Sequence, residues 1–80
     1  MDDADIVQRI RDLTEQEHAL ERTHVGEGLS PDELARLHET EVALDQCWDL
    51  LRQRRARRNA GQDPDDAAVR SEGVVEGYEQ

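Results

Sequence analysis

Three groups of side chains in this sequence could do chemistry. The first is acidic. Glu17 and Glu41 occupy the rung of two apolar ladders where a leucine would be expected. Two carboxylates brought together in a core cannot both stay ionised cheaply; they share a proton, find cations or hold a metal. His38 stands one turn from Glu41, His18 follows Glu17, and Glu21 with His24 forms a Glu-x-x-His. Bundles that bind two iron or manganese ions use inward-facing Glu with Glu-x-x-His, so Glu17, His38 and Glu41 are the candidate metal ligands. The departures from that scheme are large: His38-x-x-Glu41 runs in the reverse order, and His18 and Glu21 lean off the stripe. The favoured reading is a polar core layer of Glu17 and Glu41 that fixes register and pairing, with no metal and no cofactor.

The second group is basic. Arg52, Arg54, Arg55, Arg57 and Arg58 sit in a stretch, 52–60, that contains no acid. Such runs bind phosphates or acidic surfaces. The rest of the chain is acidic enough to give a net charge of −10, which repels a polyanion, and no aromatic is interleaved for stacking on bases. Nucleic acid is therefore disfavoured, and the five arginines are candidate contacts for an unidentified protein partner. Internal neutralisation by Asp2, Asp3, Asp5 and the acidic C-terminal segment is the favoured alternative.

The third group is Cys47-Trp48. Trp48 falls on an apolar ladder and reads as a core anchor; Cys47 flanks it as a small packed residue, with nothing nearby to activate a thiolate. The three histidines have no nucleophile or acid in catalytic order, and Gly26-x-Gly28 is too short for a phosphate-cradling loop. The sequence predicts a protein that is not an enzyme.

The ladders themselves set the architecture. Ile6, Ile10, Leu13, Glu17, Leu20 and His24 alternate steps of three and four, as do Leu34, Leu37, Glu41, Leu44, Trp48 and Leu51. Each marks one face of a helix. Folded antiparallel, they pair Ile6 with Leu51, Ile10 with Trp48, Leu13 with Leu44 and Glu17 with Glu41. The expected fold is all-α: an antiparallel two-helix hairpin over 1–60, with helices near 3–25 and 31–59. An irregular, partly disordered acidic tail follows over 61–80. Asp2 or Asp3 is placed to cap the first helix, and Gly26 and Gly28 to break it. The second start is the clearest: Ser30 as N-cap, Pro31 in the first turn, Glu33 to close a capping box, and Leu29 with Leu34 as a staple.

An 80-residue chain with 35% apolar and 38% charged residues holds a thin core. One stripe per helix barely offsets ordering costs of about 1.5 kcal/mol per residue. Ala43, Cys47 and Leu50 widen the apolar face of the second helix. These features predict a homodimer forming a four-helix bundle. No stretch approaches the roughly 20 apolar residues of a membrane span. The acidic start is not a secretory leader, and the lone cysteine suits a reducing interior. A cytoplasmic protein without membrane contact is expected.

The segment from Asp45 to Arg58, together with Glu15-Gln16-Glu17-His18, Gly28-Leu29-Ser30-Pro31, Asp63-Pro64-Asp65 and the residues from Val75 to Gln80, resembles a family of small uncharacterised actinobacterial proteins. The resemblance spans nearly the whole chain. It implies a compact cytoplasmic protein and carries over no activity, substrate or ligand. The function expected from the residues is that of a non-enzymatic interaction or adaptor protein. The alternatives are a carboxylate–histidine metal-binding bundle and a weak nucleic-acid binder.

Overall fold

A computed structural model describes residues 1–23 and 28–76. It is helical, with no strand among the described residues: α1 covers Asp3–Thr23, α2 Pro31–Asn59 and α3 Glu72–Glu76, with a single 3₁₀ turn at Pro64–Asp66. The expected end of the first helix at Val25 and the His24 rung lie outside the described residues.

Local chemistry explains where each element begins and ends. Asp2 and Asp5 cap α1 reciprocally: the Asp5 amide donates to Asp2 Oδ1 at 2.9 Å and the Asp2 amide to Asp5 Oδ2 at 3.1 Å. At α2 the Glu33 amide donates to Ser30 Oγ at 3.2 Å and the Ser30 amide to Glu33 Oε1 at 3.0 Å, completing the capping box behind Pro31. Gly28 enters this turn with φ +73°. The end of α2 is a Schellman motif. The Gln62 amide reaches Arg57 O at 2.8 Å, the Gly61 amide reaches Arg58 O at 3.1 Å, and Gly61 takes φ +75°.

α1 packs against α2, and the two run in opposite directions where they touch. Asp3 meets Arg54 and Arg58, while Ile6 and Ile10 meet Leu50, with Leu44, Cys47, Leu51 and Ala67 packed around them. Ile6 is fully buried, and Ile10, Leu13, Leu50 and Val75 are nearly so. Each such side chain contributes about 1.5–3 kcal/mol by leaving water.

The buried arc of α2 is not the one the ladder predicts. Trp48 is 48% exposed and Leu34 54% exposed, whereas Leu50 is in the core. The reason is a second neighbour. After Gly61 the chain turns back and runs along α2, so the helix is covered by α1 on one side and by residues 64–76 on the other. The buried arc shifts toward Cys47, Leu50 and Arg54.

Over residues 64–76 the returning segment is held against α2, where a loosely held tail is expected; the last part of that expected tail, residues 77–80, lies outside the described residues. Asp63 caps the 3₁₀ turn by accepting from the Asp65 amide at 2.9 Å. Arg54 Nη1 then donates to Pro64 O at 3.2 Å, Gln53 Nε2 to Ala68 O at 2.8 Å and Gln46 Nε2 to Arg70 O at 3.2 Å. His38 Nε2 lies 3.2 Å from Glu72 Oε1. Between the 3₁₀ turn and α3, residues 67–71 run without helix, and the contacts step down α2 from Arg54 to His38 as the segment advances. It ends in α3, which buries Val75. No helix among the described residues is long and apolar enough to cross a membrane.

Candidate functional site

The arginine run divides between two jobs. Arg54 is 6% exposed. Its Nε donates to Asp3 Oδ1, and its Nη1 to Asp65 Oδ1 at 2.9 Å. Arg58 adds Nη2 to Asp3 Oδ2 at 2.8 Å. Arg58 and then Arg54 hold the Asp3 carboxyl below the usual carboxylate range. Asp3 and then Asp65 raise Arg54 further above its ordinary value. A buried guanidinium with two carboxylates joins three pieces of chain: the first turn of α1, the last turns of α2 and the 3₁₀ turn. Arg54 therefore acts as a fastener: it is buried, and its Nε and Nη1 donate to two carboxylates and to the Pro64 carbonyl. Arg58 is half-committed in the same way.

Arg52 and Arg55 are exposed and Arg57 is half-buried; none of the three makes an ion pair among the described residues. Arg57 lines a shallow groove of about 340 Å³ with Gln53, Ala56, Ala60, Gln62 and Arg70. Its lining mixes the two alanines with amide and guanidinium side chains.

A second polar cluster carries no signal in the apolar ladders. Asp49 is 3% exposed. Its Oδ2 accepts from Gln53 Nε2 at 2.9 Å and lies 3.5 Å from Arg70 Nε. Gln53 Nε2 spends its other N–H on Ala68 O. Gln46, Asp49 and Gln53 are spaced three and four apart, which is a helical stripe of hydrogen-bonding side chains beside Leu50. That stripe, read together with the apolar Ala67 and Val75 downstream, is the signal that could have revealed a second packed face.

The acidic layer does not form inside the chain. Glu41 is exposed and Glu17 half-buried. The polar side chain buried beside Glu41 is Thr40, whose hydroxyl donates to Arg36 O at 2.9 Å. A threonine can bury there because it returns its proton to its own helix, which a carboxylate cannot do. Glu17, His38 and Glu41 are not brought together, and no group of three His, Cys, Asp or Glu side chains able to hold a metal occurs among the described residues. Burial raises the Cys47 thiol above its ordinary pKa, with Arg9 opposing the shift, so the thiol is held away from its reactive form.

What remains open is one face of α2. Leu34, Glu41, Trp48 and Arg55 recur every seven residues and are all exposed. Leu37 and Leu44 beside them are half-buried. Trp48 thus stands half-exposed among leucines, with Glu41 on one side of it and Arg52 and Arg55 on the other.

The family model described as a protein of unknown function (DUF2630) matches residues 2–80. The uncharacterised proteins Mb0922c of Mycobacterium bovis and Rv0898c of Mycobacterium tuberculosis are similar to this chain. Each is 48% identical over 77 residues, covering 95% of this chain and 88% of the relative. No solved structure matches the chain. The match runs almost from end to end and takes in the capped start of α2, the arginine run and the returning segment alike: the chain belongs to the DUF2630 family of uncharacterised proteins.

Proposed function

We propose that this chain is a non-enzymatic interaction module of the cytoplasm. In this reading it is an antiparallel helical hairpin, braced by its own returning segment, that presents the open face of α2 to another polypeptide and completes a helical bundle with it. The observation that carries the reading is Trp48. It lies in the middle of the longest helix, 48% exposed, while its neighbours Cys47 and Leu50 supply the packing that a core tryptophan would have given. Tryptophan and arginine are the residues that most often dominate binding energy at interfaces, and Arg52 and Arg55 stand one and two turns away.

The test is a photo-crosslinking amino acid placed at position 48 in living cells. A discrete adduct containing a second polypeptide is expected, and the same probe at Glu15, on the outer side of α1, should give none. Absence of any adduct from position 48 at native expression rejects the reading.

A further inference from the structure

We propose that the occupant of this face is a second copy of the same chain, with the two α2 helices crossing antiparallel at Trp48 so that Glu41 of each copy meets Arg55 of the other. The inference rests on the interaction-module reading and names its partner.

The argument is one of charge and position. Glu41 lies seven residues before Trp48 and Arg55 seven residues after it. Two helical turns separate each from the tryptophan, about 10 Å along the axis. A two-fold axis through Trp48 brings position 48−k of one copy against 48+k of the other. Glu41 then faces Arg55 twice, and Leu44 faces Arg52, whose aliphatic stem can cover a leucine while its head reaches water. The two tryptophans meet on the axis.

The groups required for this are uncommitted. Glu41, Arg52 and Arg55 make no ion pair among the described residues, in contrast to Arg54 and Arg58 on the neighbouring face, which are bound to Asp3. The other occupants fit less well. A uniformly acidic partner would satisfy the arginines and repel Glu41, and a basic one would do the reverse. A parallel copy would set Glu41 against Glu41 and Arg55 against Arg55. A surface with one acid and two arginines on opposite sides of an aromatic is complementary to its own reversed image.

The test uses the full chain and sedimentation equilibrium. The wild-type protein, 9.2 kDa as a single chain, is expected to reach twice that mass at micromolar concentration, with Trp48 fluorescence shifting to the blue as it does so. E41R and R55E should each raise the dimer dissociation constant by about tenfold or more, because both cross-pairs become repulsive. Mixing E41R with R55E should produce a heterodimer. The doubly exchanged chain, E41R with R55E in one molecule, should recover the wild-type constant to within about threefold; in a parallel pairing, where 41 meets 41 and 55 meets 55, the single reversals would already leave the constant unchanged. Both positions are exposed, and helical circular dichroism should be unchanged in every variant.

A monomer at all concentrations up to about 1 mM overturns the inference, as does a dimer indifferent to both charge reversals. If the chain is monomeric yet position 48 crosslinks to a different protein in cells, the self-pairing fails and the interaction-module reading survives. If it is monomeric and gives no crosslink, both fail.

Discussion

Arg54 donates its Nε–H to the carboxylate of Asp3, fifty-one residues away in sequence, and so ties the end of α2 to the start of α1. Because Arg58 and Arg54 both lower the Asp3 pKa, the tie depends on pH in a definite direction. A carboxyl whose folded pKa is depressed contributes stability above its unfolded value, about 3.9. That contribution is lost as the pH falls through the lower folded value. Asp3→Asn should lower the melting temperature at pH 7, and the gap to wild type should close toward pH 2. Thermal melts by circular dichroism at pH 7, 4 and 2 measure it; a gap that persists undiminished at pH 2 would show that the charge is not what stabilises this joint.

The two leucines Leu50 and Leu34 exchange the roles the sequence ladder assigns them. Leu50→Ala, at a site 6% exposed, should cost about 2–5 kcal/mol in urea unfolding. Leu34→Ala, at 54% exposure, should stay within about 0.5 kcal/mol. The reverse order would place the core on the wrong side of α2.

Gln53 holds both Asp49 and the Ala68 carbonyl. Gln53→Ala removes a partner from a buried carboxylate and should cost about 1–3 kcal/mol. Hydrogen exchange should report the loss mainly as faster exchange between residues 66 and 75, with α1 less affected. Uniform acceleration along the whole chain would mean that the returning segment and the helix pair unfold as one unit.

Gly61 turns the chain with φ +75° and has open space where a Cβ would go. Gly61→Ala therefore meets backbone strain and not a clash, and should cost about 1–2 kcal/mol. Gly61→Asn should cost less, since asparagine tolerates the left-handed region. Equal losses for the two would point away from dihedral strain as the cause.

Much of this arrangement is legible in the residues. Ser30, Pro31 and Glu33 mark the start of α2 because capping is local chemistry, written in four adjacent positions. Ile6, Ile10 and Leu13 mark the buried stripe of α1 because that helix has a single neighbour. α2 is harder to read because it has two. With cover on both sides its buried arc is wide and partly polar, so Trp48 looks central by spacing while Leu50 and Arg54 take the inner places. The Asp49–Gln53–Arg70 cluster escapes the apolar ladders, although Gln46, Asp49 and Gln53 keep helical spacing. Its members are residues that usually face water, and only the segment that returns after Gly61 makes them interior. The arginine run is legible as charge. That Arg54 is consumed internally while Arg52 and Arg55 are not depends on which side of the helix α1 occupies.

The retracing of α2 by residues 64–76 also orders events during synthesis. Asp65, the second anion for Arg54, lies eleven residues after it, and Val75, one of the five buried apolar side chains among the described residues, later still. The helices α1 and α2 can meet on a nascent chain, but with Leu50 half-wrapped and Asp49 lacking Arg70. Full stability arrives only once Val75 has cleared the ribosome, so a transcript cut short within this segment would yield a soft, protease-sensitive product and not a smaller working protein.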